Sequence, residues 1–173
     1  MSPFTDPIEV TLRDGRRVTI RPIRRDDVAR TCAFIDALSP QSKHALFLGG
    51  IVRLSDAALE RLCDSRDPRG MAYVAIVPEA QAERQVGVCR YAGADSAEGA
   101  EISVAVADDC QHQGLGKLLL RRLVEHARAH KVCRLYSMDA ASNEAMRRLA
   151  RDVGFAEQPD PDDIHQVIYS LEP

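Results

Sequence analysis

The sequence has no C-x-x-C pair, no marked excess of charge of either sign and no long apolar run. Each absence removes a class of function. Its five cysteines, Cys32, Cys63, Cys89, Cys110 and Cys133, are odd in number and widely spaced, which argues against a disulfide framework and a zinc site. A reducing cytoplasm is the expected compartment, and no metal is expected. Twenty-three Lys and Arg stand against twenty-six Asp and Glu, so the formal charge of -3 offers no global field to nucleic acid or to an anionic membrane. Any anion site must be local. The segment Met1 to Pro7 lacks a basic region followed by an apolar stretch, and nothing later approaches the roughly 18 apolar residues of a membrane span. Neither export nor membrane insertion is expected. Internal repeats, low-complexity tracts and interdomain linkers are missing too, and 173 residues with 45% hydrophobic content suit one domain, 1–173, with its own core.

What is present alternates between two periods. Val10 to Arg13 and Arg17 to Arg21 flank Asp14-Gly15, a dipeptide that takes positive φ readily, so a β-hairpin is expected first. Val28, Cys32, Ile35 and Leu38 recur at helical spacing until Ser39-Pro40 ends the run. Ser55 caps the start of another helix, and Asp67-Pro68-Arg69-Gly70 breaks the chain before a strand at Met71 to Val77. Strands at Gln85 to Tyr91 and Glu101 to Ala107 complete an antiparallel meander, joined by a loop over Ala92 to Ala100. After Gly114 the apolar positions Leu115, Leu118, Leu119, Leu123 and Ala127 fall on one helical face. A strand at Val132 to Met138, a helix at Asn143 to Asp152 ended by Val153-Gly154-Phe155, and a strand at Ile164 to Leu171 follow. A surface loop is expected over Gln158 to Asp163. The element order implies a mixed α/β fold.

The junction between the strand ending near Ala107 and the helix beginning near Gly114 carries the chemistry. Gln111-His112-Gln113-Gly114-Leu115-Gly116-Lys117 gathers unpaired backbone N–H groups and the positive end of a helix dipole at one point, an arrangement that attracts phosphate. Gly114 and Gly116 lack a Cβ, which permits a tight backbone and close approach of an anion. A Walker loop would require glycine at Gln111 and Ser or Thr at Leu118. A dinucleotide fingerprint would require its third glycine at Leu119. Neither fits, and the glycines could also serve only the turn.

Gln111-x-x-Gly114-x-Gly116, preceded by the strand Glu101 to Ala107, resembles the Gln/Arg-x-x-Gly-x-Gly/Ala signature of the GNAT superfamily of acyl-coenzyme A dependent N-acyltransferases. Asn143-Glu144-Ala145-Met146, Leu149 and Gly154-Phe155 resemble that superfamily's next motif. Asp14-Gly15-x-x-Val18-x-Ile20-Arg21-Pro22-Ile23, Leu38-Ser39-Pro40-x-Ser42, Ala100-Glu101 and Asp108-Asp109-x-Gln111 further resemble the catalytic domain of bacterial Pat-type protein-lysine acetyltransferases. The resemblance implies a central, mostly antiparallel sheet, splayed at the cofactor strand and flanked by helices. It also implies acetyl-coenzyme A as co-substrate. Val104, Ala105 and Val106 would offer backbone groups to the pantetheine arm, and the N–H groups from His112 through Gln113, Gly114, Leu115 and Gly116 to Lys117 would hold the pyrophosphate. Asn143 would add a side-chain amide, unless it is only a helix cap. Lys117 and Arg121, one turn apart, suit a solvated face better than a phosphate.

Acyl transfer to an amine needs the neutral nucleophile, and a lysine amine with a pKa near 10.4 is almost wholly protonated at neutral pH. Glu101 matches the glutamate base of the Pat-type subgroup and is the expected general base, although an exposed structural glutamate would look the same in sequence. Ala150 stands where many relatives place a tyrosine acid. A thiolate leaving group with a pKa near 8.5 can depart without full protonation. His44, His112, His126, His130 and His165 have no catalytic partner at useful spacing, and a covalent route through Cys110 is disfavoured. The acceptor is expected to be a primary amine, a protein lysine over a small molecule, partly because Glu98, Glu101, Asp108 and Asp109 bracket the cofactor strand. A non-catalytic acyl-coenzyme A sensor is the alternative from another class. A monomer or a homodimer is consistent with the sequence.

Overall fold

A computed structural model describes residues 4–47, 54–64, 68–80, 82–96 and 99–173, without the side chains of residues 44, 45 and 47. These residues form an eight-stranded, mostly antiparallel sheet in the order β1-β2-β3-β4-β5-β6-β8-β7. The opening hairpin pairs β1 (Ile8–Thr11) with β2 (Arg17–Pro22), Val10 opposite Val18. Its turn closes through the Gly15 N–H on the Leu12 carbonyl at 3.0 Å, and Gly15 takes φ 87°, as expected of Asp14-Gly15.

Helix α1 (Val28–Ala37) lies where its periodicity put it, but its buried face is turned. Thr31 and Phe34 face inward, while Val28, Cys32 and Ile35 are half-buried. The buried Thr31 hydroxyl donates to Gln85 at 3.0 Å, which satisfies a polar group that the hydrophobic pattern alone would have placed outside. Helix α2 (Pro40–Phe47) was not expected. Pro40 does not stop a helix here but starts one, at the first helical position, with the Ser39 hydroxyl accepting from the Ser42 N–H at 3.2 Å. Helix α3 (Asp56–Leu62) begins at the Ser55 cap.

The meander of β3 (Met71–Pro78), β4 (Glu83–Ala92) and β5 (Ala100–Val106) follows as expected. A bulge at Val86 shifts the register between Ala75–Gly87 and Ile76–Gln85. Helix α4 (Leu115–Ala129) buries Leu115, Leu119, Leu120 and Leu123 against the sheet. Gly87 admits it closely, because a Cβ there would lie 2.9 Å from Leu119 Cδ1. Helices α1 and α3 cover the other face, around Ile23, Cys63, Val74 and Ile76. Strand β6 (Leu135–Ala140) leads to α5 (Glu144–Val153), which ends at Gly154 with φ 99° and two N–H groups on the Ala150 carbonyl.

Part of the expected Gln158–Asp163 loop is strand. β7 (Ala156–Pro159) pairs with β8 (Gln166–Leu171), and Ile164, expected to open the last strand, is 87% exposed in the connection. Every residue of β7 is exposed, so only its hydrogen bonds to β8 make it a strand.

Candidate active site

Strand β5 pairs with β4 along its length, from Glu101 opposite Ala92 to Val106 opposite Gly87. With β6 it pairs in parallel at Ala100–Leu135 and Glu101–Tyr136 only. Beyond Glu101 the two strands part, and the sheet opens into a gap. The Ala100 N–H donates to the Arg134 carbonyl at 2.8 Å, which fixes the alternation along the strand. Val104 and Val106 therefore turn their backbone groups toward the gap. Ala105 turns its own toward Val88 in the β4 ladder and buries its side chain. Of the three backbone positions expected beside the cofactor arm, two border the opening. Glu101 stands exposed at its vertex.

At the far end of β5, a single turn at Asp108–Cys110 leads to His112 at φ 60° and Gly114 at φ 90°, where α4 begins. Among the described residues, no protein acceptor meets the backbone N–H of His112, Gln113, Gly114, Leu115, Gly116 or Lys117. The first bond of the helix runs from the Leu118 N–H to the Gly114 carbonyl at 3.2 Å. Six unpaired donors thus lie at the start of the helix, beside the positive end of its dipole, as an anion site requires. The two glycines are not equivalent. The positive φ of Gly114 excludes most side chains, whereas a Cβ on Gly116 would meet Leu149 at 3.5 Å and Val106 at 3.7 Å, ordinary contacts. The Lys117 ammonium pairs with Asp152 at 3.1 Å, so this residue offers the loop its N–H and not its charge.

Long-range contacts hold the loop in shape. The Gln111 amide donates to the Val106 carbonyl at 3.3 Å, and to Ser42 Oγ and Asp108 Oδ1 at 3.2 Å each. The signature glutamine therefore braces the loop with its side chain. The Asp108 carboxylate also accepts from the Ser39 N–H and hydroxyl at 2.9 Å each and from Ser42 Oγ at 2.7 Å, tying α2 to the loop. Partial burial opposes ionisation of Asp108, but these donors outweigh it and hold its carboxyl below the usual range. Arg84, and then Arg16, do the same for Asp109, through ion pairs of 2.9 and 3.1 Å. Cys110 is buried beneath the Arg16 guanidinium, 3.0 Å from its Sγ, and burial raises its thiol, which suits packing and not nucleophilic attack. Arg16, Ser39 and Ser42 lie within the Pat-like motifs, but the sequence alone assigns them no role. Their partners are 66 to 94 residues away, and only the capping spacing Ser39-Pro40-x-Ser42 was locally readable.

Asn143 caps α5, accepting from the Met146 N–H at 3.1 Å and donating to both oxygens of the buried Asp139 at 3.2 Å. Ala150 is 1% exposed and packs in the core, so it does not widen an open site. Of the acidic set expected around β5, Glu98 lies outside the described residues, Asp109 is ion-paired with Arg84 and Arg16, and the Asp108 carboxylate is engaged by hydrogen bonds from Ser39, Ser42 and Gln111. His126 is buried, with Nδ1 3.0 Å from the Tyr91 hydroxyl, and burial followed by His130 and Arg122 pushes its pKa down to about 4. A groove of about 600 Å³ between α1 and the β3–β4 connection is lined by Phe34, Leu38, Glu79, Glu83 and Asp108. It opens at the loop end of β5, roughly 20 Å from Glu101 at about 3.3 Å per residue, too far to serve it.

The sequence matches the acetyltransferase (GNAT) domain family over residues 17–156. The chain belongs to the GNAT acetyltransferase family. The acetyltransferase PA5475 of Pseudomonas aeruginosa is 44% identical over 161 residues, covering 93% of this chain and 87% of that protein. Among solved structures, the GNAT domain of S. lividans PAT superposes with a TM-score of 0.84 at 23% identity, over 96% of this chain and 97% of that one. The RimL ribosomal L7/L12 alpha-N-protein acetyltransferase, solved in complex with coenzyme A, superposes with a TM-score of 0.70 at 16% identity, over 90% and 93%. These two likenesses establish the fold. Family membership makes the activity acyl-coenzyme A dependent acetyl transfer, and the unpaired donors of the loop and the gap beside β5 suit such a co-substrate.

Proposed function

We infer that this GNAT protein acetylates a primary amine, with a protein lysine as acceptor, and that Glu101 is its general base. The observation that carries this reading is the position of Glu101, an exposed carboxylate at the vertex of the gap between β5 and β6. The co-substrate supplies an activated acetyl group as a thioester. The loop from His112 to Lys117 holds its pyrophosphate through backbone N–H groups, and the Val104 backbone and the Val106 N–H hydrogen-bond the arm along the gap. Glu101, directly or through one water, removes the proton from the acceptor ammonium and leaves a neutral nitrogen to attack in a ternary complex. Thiolate departs without a dedicated acid. Asn143, engaged by Met146 and Asp139, acts by positioning the start of α5 at the edge of the site.

The protein acceptor rests on the exposure of Glu101 and on the Pat-type resemblance. The acidic rim adds little, because Asp109 is ion-paired and the Asp108 carboxylate is engaged by Ser39, Ser42 and Gln111. Incubation with acetyl-coenzyme A and a panel of lysine peptides and small amines, read by thiol release, ranks the acceptors. Acetyl-lysine mapping in a lysate, with Glu101→Gln as control, then tests the protein reading. Efficient turnover of a free amine with indistinguishable lysate maps would replace it by a small-molecule acceptor. Tight cofactor binding without turnover of any amine would make the protein a sensor.

A further inference from the structure

The β1–β2 turn is fastened over the cofactor loop from the opposite end of the chain. Arg16 donates to the Asp109 carbonyl and to Cys110 Sγ, and the Arg13 N–H donates to the Gln113 carbonyl at 3.3 Å. This fastening sets the Arg13 side chain beside Gly114. A Cβ built on Gly114 would lie 4.0 Å from Arg13 Nε, which places the guanidinium at the mouth of the cradle of unpaired N–H groups. Three other cations around the loop are occupied: Arg16 by Asp14 and Asp109, Arg84 by Glu79 and Asp109, and Lys117 by Asp152. Arg13 is exposed, and no acceptor among the described residues meets its guanidinium. A free, planar donor fork facing free backbone donors is complementary to one kind of group, an anion with several oxygens.

We propose that Arg13 is a ligand of the coenzyme A pyrophosphate, contributed by the β1–β2 turn across from the start of α4. This rests on the reading that the loop from His112 to Lys117 holds that pyrophosphate. The backbone donors and helix dipole supply only partial charge, and Arg13 adds a full one on the opposite side of the anion. Because Asp14 is held by Arg16, the turn does not place a competing carboxylate against the phosphates.

Calorimetry with coenzyme A and with dephospho-coenzyme A, which lacks the 3′-phosphate, tests the assignment. Arg13→Ala is expected to weaken both ligands equally, by about ten- to a hundredfold, as for loss of a charged hydrogen bond. It should also flatten the dependence of affinity on salt, and Arg13→Lys should recover part of the loss. Arg17→Ala, the same change of charge on the same hairpin, should bind as wild type. Thermal unfolding should be unchanged in Arg13→Ala, since the guanidinium holds no protein group. A loss seen with coenzyme A but not with dephospho-coenzyme A would move Arg13 to the 3′-phosphate and overturn the assignment. Wild-type affinity in Arg13→Ala combined with loss in Gly114→Val would dismiss Arg13 and keep the loop. Wild-type affinity in both would show that the cofactor reading itself is misplaced.

Discussion

The two ends of strand β5 are built on opposite plans. At the end leading into α4, the side chains are satisfied and the backbone is free. Asp108, Asp109, Gln111 and Lys117 are all spent on protein partners, while the N–H groups from His112 to Lys117 wait for an acceptor. At the end that starts the strand, the backbone is paired on both sides, to Ala92 and Tyr136, and the Glu101 carboxylate stands exposed. Binding an anion by backbone requires rigid donors, and the side-chain bracing around the loop supplies that rigidity. Proton transfer as proposed for Glu101 requires one accessible group at a fixed point, and a paired strand carries the carboxylate there. Pre-organisation is thus assigned to different parts of the chain at the two ends.

The largest effect should come from the base end. Glu101→Gln is expected to lower turnover by about 10² to 10⁴ while leaving coenzyme A affinity within a few-fold of wild type. Steady-state kinetics with calorimetry separate the two quantities, and a parallel loss of cofactor affinity would dissolve the distinction between the ends. At the loop end the reverse should hold. Gly114→Val forces a β-branched residue to φ 90°, with strain of about 1–3 kcal/mol, and coenzyme A affinity should fall by at least about tenfold. Retained binding would mean that the cradle is not where the anion sits.

A third effect concerns the support behind the base end, where Tyr91 pairs with Ile102 and carries the His126 contact. His126 has a folded pKa of about 4, below the ordinary 6.5, so the unfolded chain binds the proton more readily. The associated stability is complete above pH 6.5 and is lost as the pH falls toward 4. Between pH 7 and 5 this amounts to about 2 kcal/mol. Urea unfolding at the two pH values should show a smaller acid loss in His126→Gln than in wild type; equal losses would remove this histidine from the account. The smallest effect is expected from Gly116→Ala, whose added methyl group meets Leu149 and Val106 at ordinary distances. Its coenzyme A affinity should stay within about threefold of wild type. A loss as large as that of Gly114→Val would show that the ligand, and not the protein, requires this glycine.

Local patterns in the sequence were enough to determine the hairpin at Asp14-Gly15, the central meander, helix α4 and the capped start and glycine end of α5. Each is a matter of periodicity, turn chemistry or caps within a few residues. The loop of unpaired donors was legible for the same reason, since a strand, two glycines and a helix start determine where free N–H groups gather. Tertiary contact decided what lies beyond such windows. The docking of helix α2 on the loop depends on Ser39 and Ser42 meeting Asp108, and the rotation of α1 on Thr31 reaching Gln85. Strand β7 exists through β8, and the gap beside β5 through a parallel register that ends at Glu101. The engaged acids and the place of Arg13 over Gly114 belong to the same class. Hydrogen bonds and ion pairs between residues far apart in the chain leave no period in the sequence, so only the folded arrangement could show which charges were spent and which remained.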